Sequence, residues 1–232
     1  MPKTPILMIP GLNATPRVFR EQMETMWRFG PVTISANSDG STVAEIAASI
    51  VRDAPARFAL GGFSMGGYVA FEIVRQAPQR VTKLVLIDTS ARPDTPEATE
   101  KRRGGMDLAR AGKLGLAAAT TYPTTVHPAN VDNATLKAIH LQMALANGAA
   151  AYIRQQEAII ARPDSRPVLG SIDVPTAVIV GDSDQITPPE VAREMAGGIG
   201  GAVLTVVEGA GHMALLEQPE AVNAALEEWL AR

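Results

Sequence analysis

Cysteine is absent from the chain, which excludes disulfides, thiolate metal sites and a cysteine nucleophile. The same absence fits a cytoplasmic home. Long apolar runs are missing too. The run Ile6-Leu7-Met8-Ile9 is stopped at once by Pro10-Gly11, and nothing approaches the ~18 apolar residues a membrane span needs. Neither a secretory signal nor a membrane span is expected. Strong charge is lacking: the formal net charge is -3 and no long basic run occurs, so nucleic-acid binding is not expected. The short cluster Lys101-Arg102-Arg103 reads as a solvated helix face. The 3 histidines are scattered, so no zinc site and no metal or organic cofactor is expected. There is no internal repeat. What the chain does have is apolar material for a sizeable core, 46% of 232 residues against 19% charged. That length suits one domain, or one core with an insertion.

Short apolar runs alternate with stretches of helical spacing. Strands are expected over residues 5–10, 31–36, 57–63 and 81–87. The last is a continuous Val/Leu/Ile run of the kind buried on both faces of a parallel sheet. Helices are expected over 15–29, with Thr15 as N-cap and Pro16 at the first helical position, over 41–54 with Ser41 capping, and over 65–76. From about 92 to 170 the pattern is helical or irregular, with clear helices at 135–146 and 150–161. The alternation then resumes with a strand at 176–180, a helix at 189–196, a strand at 202–207 and a closing amphipathic helix at 220–230. This order implies an α/β fold, a mostly parallel central sheet with helices on both faces. The core would comprise residues 1–91 and 171–232, with 92–170 as a helical lid insertion. In such sheets the ligand crevice lies beyond the carboxyl ends of the strands.

The sharpest chemical signal is Gly62-Phe63-Ser64-Met65-Gly66, a G-x-S-x-G motif between a strand pattern and a helix pattern. The bland alternative, a glycine-rich helix start with a capping serine, accounts less well for that context. A serine hydroxyl is a weak nucleophile and needs a base within hydrogen-bond reach. His212 lies in a Gly-rich loop between a strand and the last helix, where a crevice base would stand. His127 and His140 fall in the insert and read as surface or packed histidines. A carboxylate should orient the imidazole. Asp88, Asp182 and Asp184 all end strands. Asp182 reads as a turn-capping residue, Asp184 is favoured as the acid, and Asp88 is its serious rival. Oxyanion donors are expected from the backbone N–H groups of Met65, directly after the nucleophile, and Leu12, in the loop Pro10-Gly11-Leu12-Asn13.

Taken in order, Pro10-Gly11-Leu12, Gly62 to Gly67, Gly181-Asp182-Ser183-Asp184 and Gly211-His212 before Leu216-Glu217-Gln218-Pro219 resemble the α/β-hydrolase superfamily. The resemblance covers nearly all of the chain and implies the α/β-hydrolase fold. It carries the family's catalytic acid onto Asp184, the last residue of the Gly-x-x-Asp piece. One departure is Pro10, where many relatives have a histidine before the oxyanion-loop glycine. Another is that the first expected strand is already that of the oxyanion loop, so the family's leading hairpin is not expected. The resemblance implies a serine esterase acting on a small-molecule ester with an apolar acyl or alcohol group. A thioesterase, a lactonase or a carbon–carbon bond hydrolase could use the same three residues. A non-catalytic ligand-binding relative is the reading from a different class, and the complete Ser, Asp and His set argues against it.

Overall fold

The computed structural model describes residues 3–37 and 39–232. Strand β1 (Ile6–Ile9) leads through a 3-10 turn at Pro16–Gln22 into α1 (Met23–Phe29) and β2 (Val32–Ile34). Next come α2 (Val43–Asp53), β3 (Phe58–Phe63), α3 (Met65–Gln76) and β4 (Val81–Ile87). The insert carries α4 (Pro96–Arg110), α5 (Leu114–Thr125) and α6 (Ala134–Ile160). The chain closes with β5 (Thr176–Gly181), α7 (Pro189–Gly198), β6 (Val203–Val207), the short α8 (Ala214–Glu217) and α9 (Pro219–Ala231).

The strands form one sheet in the order β2-β1-β3-β4-β5-β6, every neighbouring pair parallel. Alternate side chains of a strand point to opposite faces, and the core divides accordingly. Leu7, Ile9, Leu84, Leu86, Val178 and Val180 meet α2, α3 and α7 on one face. Ile6, Met8, Val85, Ile87, Ala177 and Ile179 meet α1 and α9 on the other. Both faces are covered, which is why these strands read as unbroken apolar runs. The order reverses at β1, so the carboxyl ends of β1 and β3 flank the switch point where open α/β sheets place a ligand.

Local details differ from the sequence reading. The expected helix at 15–29 is a 3-10 segment followed by α1, although Thr15 does cap its start with Pro16 next. The cap of α2 is Thr42, whose hydroxyl accepts from the Glu45 N–H at 3.1 Å. Ser41, expected to cap, instead donates through its N–H and Oγ to the Glu45 carboxylate. The helices expected at 135–146 and 150–161 are the two arms of α6, broken at Gly148 by a positive φ of 78°.

Candidate active site

Ser64 stands between β3 and α3, with φ 52° and ψ -118°. A non-glycine residue held there carries about 1–3 kcal/mol of strain. The surroundings hold it: its N–H donates to the Ile87 carbonyl at 2.9 Å, and its own carbonyl accepts from Thr89 Oγ1 at 2.7 Å. The turn also needs a bare backbone beside it. A Cβ on Gly66 would lie 2.0 Å from the Ile9 carbonyl oxygen, so only glycine lets α3 start this close to the end of β1.

His212 sits between β6 and α8 and is 5% exposed. Its Nε2 is 2.8 Å from Ser64 Oγ, and its Nδ1 is 2.8 Å from Asp184 Oδ2. Asp184, in the loop between β5 and α7, is fully engaged. Oδ1 accepts from the N–H groups of Ile186 and Thr187, and Oδ2 accepts from Thr187 Oγ1 at 2.7 Å as well as from the imidazole. Burial pushes the Asp184 carboxyl up, but the His212 charge and the bonds from His212 and Thr187 outweigh it. Its pKa falls below the usual carboxylate value. An ionised Asp184 accepts the Nδ1 proton and leaves Nε2 free to accept from the serine hydroxyl.

The other candidate acids and bases are engaged elsewhere. Asp88 has no solvent exposure; Oδ1 accepts from the Gly181 N–H at 2.9 Å, and the carboxylate also faces the Ala214 N–H. Burial, and next the nearby charge of Asp184, hold its carboxyl well above the usual range. Asp182, read in the sequence as capping its own turn, instead accepts from the Gly209 N–H of the loop after β6. His127 caps a short 3-10 turn through Nδ1. His140 bonds the Ala118 carbonyl through Nε2 and lines the cavity beside Ser64.

That cavity has a volume of about 280 Å³ and is lined by Ser64, His212 and Leu12 from the core and by Met143, Tyr152 and Ile159 from the insert, among others. Met65 opens α3, so its N–H has no acceptor within the helix. The Gly11 backbone lies against Ser64: a Cβ there would come within 3.0 Å of the serine Cβ.

Three supporting side chains escape a sequence reading. Asn37, just after β2, donates to the Pro10 carbonyl at 2.8 Å, and Gln155 of α6 accepts from the Asn13 N–H at 3.0 Å. Glu217 accepts from the Gly211 N–H beside His212, and from the His127 N–H and Asn130 side chain of the insert. Glu217 was visible in the sequence only as part of a motif, with no sign of its partners. The cluster at 101–103 also needs correction. Lys101 and Arg103 are exposed, as expected, whereas Arg102 is partly buried, and Lys101 and Arg102 both line the cavity. The described residues contain no group of three or more His, Cys, Asp or Glu side chains able to hold a metal ion. None of their helices is long and apolar enough to cross a membrane.

The comparisons with known proteins agree with this architecture. Residues 6–225 match the profile of the alpha/beta hydrolase family. A pimeloyl-(acyl-carrier protein) methyl ester esterase of Neisseria meningitidis is 32% identical over 205 residues, covering 84% of this chain and 73% of that protein. A 3-oxoadipate enol-lactonase of Acinetobacter baylyi is 28% identical over 171 residues, covering 74% of this chain and 62% of its own length. Among solved structures, a thermophilic esterase from Thermogutta terrifontis superposes with a TM-score of 0.88 at 30% identity, covering 99% of this chain and 90% of that one. The chain belongs to the alpha/beta hydrolase family, and its esterase relatives support hydrolase activity.

Proposed function

We propose that the chain is a serine hydrolase that cleaves the carboxylic ester of a small or medium-sized apolar substrate through an acyl-enzyme. The observation that carries this reading is the line from Ser64 Oγ through His212 to Asp184 Oδ2, with both steps at 2.8 Å. Ser64 Oγ attacks the ester carbonyl carbon as His212 Nε2 takes its proton. The leaving alkoxide departs with that proton. Water then gives a proton to His212 and attacks the acyl carbon, which frees the carboxylic acid and restores the serine hydroxyl. Asp184 holds the ring and stabilises the imidazolium. The N–H groups of Leu12 and Met65 stabilise the oxyanion at both steps. Residues 92–170 act as the lid over the substrate, and no metal or organic cofactor takes part. A lactone is an internal ester and fits the same chemistry, a reading favoured by the enol-lactonase among the relatives.

A fluorophosphonate probe tests this directly. Mass spectrometry should find the adduct on the Ser64 peptide, and Ser64→Ala should take up none. A panel of p-nitrophenyl esters and acyl thioesters of graded length then ranks the substrates. An unlabelled wild-type protein that turns over none of the panel would overturn the reading.

A further inference from the structure

The cavity that holds Ser64 and His212 also carries charge that the chemistry does not use. Four residues of α4 line it, Ala98, Lys101, Arg102 and Gly105. Their spacing of three, four and seven puts them on one helical face. Two are cations, and no aspartate or glutamate stands among the lining residues.

The charge behind this wall is unbalanced. Asp94, its side chain 3% exposed, pairs with Arg102 at 3.2 Å and Arg162 at 2.9 Å. One carboxylate between two guanidinium groups leaves one positive charge in excess. The Arg162 guanidinium lies 4.3 Å from the ring centroid of Tyr68, another residue of the cavity wall. Arg102 also donates to Gln156 Oε1 at 3.0 Å, and Gln156 is tied to Tyr152; both are residues of the same wall. Lys101 adds a second positive charge and makes no ion pair among the described residues, not even with Glu97 one turn earlier. Arg102, partly buried on a wall shared with apolar surface, attracts an anion more strongly than it would in open water, and the exposed Lys101 adds its charge beside it.

We propose that the substrate's apolar chain ends in a carboxylate, which Lys101 and Arg102 receive while the ester carbonyl lies at Ser64. This specificity rests on the reading of Ser64 as nucleophile.

Two esters of one chain length test it: mono-p-nitrophenyl adipate, ending in a carboxylate, and p-nitrophenyl hexanoate, ending in a methyl group. At low ionic strength kcat/KM should favour the adipate by about tenfold or more, and salt should shrink the gap. In Lys101→Glu, with folding checked by circular dichroism, the adipate-to-hexanoate ratio should fall by about fivefold or more. A wild-type ratio of one or less, or a ratio untouched by Lys101→Glu, overturns the proposal while Ser64-dependent hydrolysis stands. Calorimetric titration of Ser64→Ala with monomethyl adipate and with methyl hexanoate reads the preference without turnover. If Ser64 takes up no fluorophosphonate and no ester is cleaved, the hydrolase reading fails, and tighter binding of the adipate decides the anion site by itself. Equal binding rejects it.

Discussion

Gln155 donates from Nε2 to Asn37 Oδ1 at 2.7 Å, and both side chains are buried. One residue belongs to the helical insert and the other to the loop after β2. Between them they hold the Pro10–Asn13 loop: Asn37 bonds the Pro10 carbonyl and Gln155 the Asn13 N–H. The insert therefore reaches the loop that carries the Leu12 N–H.

Gln155→Leu should uncouple this clamp. It leaves the Asn13 N–H and Asn37 Oδ1 buried without that partner, at a cost of about 1–3 kcal/mol in unfolding free energy. Turnover should fall by roughly tenfold with KM little changed, because a loosened Leu12 N–H, the proposed oxyanion donor, would be felt in the transition state. Gln155→Glu, which keeps the acceptor for Asn13, should recover part of the loss. Thermal unfolding and steady-state kinetics on one ester check both. Wild-type values in Gln155→Leu would remove the clamp from the account.

Asp184 and Asp88 separate by a single pair of variants. Asp184→Asn keeps the shape but lets the imidazole settle in the wrong tautomer, so turnover should fall by an amount approaching 10⁴. Asp88→Asn should lose less than about tenfold, since Asp88 bonds Gly181 and not His212. Kinetics on one ester, with circular dichroism on each variant, decide the matter. The reverse ranking would move the acid to Asp88.

Asp88 also predicts a pH dependence of stability. Its folded pKa is raised by burial and by Asp184. Above the ordinary carboxylate pKa of about 3.9 the unfolded chain has released this proton while the folded chain retains it. The site therefore costs stability as pH rises from that value up to its folded pKa, where the loss levels off. Asp88→Asn has no proton to lose. Relative to wild type, the variant should gain stability from pH 4 to pH 8, as read by urea unfolding at several pH values. A constant difference across that range would mean that Asp88 is ionised in the fold.

Much of this architecture is legible in the sequence because a parallel sheet buried on both faces demands continuous apolar runs, as in Val178-Ile179-Val180. The break at Gly148 is legible as a gap between two helical patterns. Helices α4 and α5 are less so, since Gly104-Gly105 and Pro123 interrupt their spacing. Ser64, Asp184 and His212 can be named from local motifs, but the line joining them is a product of tertiary structure. The clamp is invisible in the sequence: Asn37 and Gln155 stand 118 residues apart, and the helical pattern around Gln155 says nothing of its partner. Arg102 departs from the solvated face expected of residues 101–103 because a charge run does not reveal which residue packs toward a cavity.

Glu217 offers a further test of how the His212 loop is supported. Its carboxylate accepts from Gly211, His127 and Asn130. Glu217→Gln replaces one acceptor oxygen with an NH₂ group that faces donors. The loss of charge-assisted bonds should cost about 1.5–3 kcal/mol, read by denaturant unfolding. An unchanged midpoint would show that the loop holds without it.

The central claim is that Ser64 is the nucleophile, and turnover of Ser64→Ala on an ester that the wild type cleaves is its most direct measurement. Removing Oγ leaves the proposed oxyanion donors and the cavity intact. The variant should fold normally and lose nearly all activity, keeping at most a residual rate of about 10³–10⁴ over water. Wild-type turnover in a correctly folded Ser64→Ala protein would contradict the account.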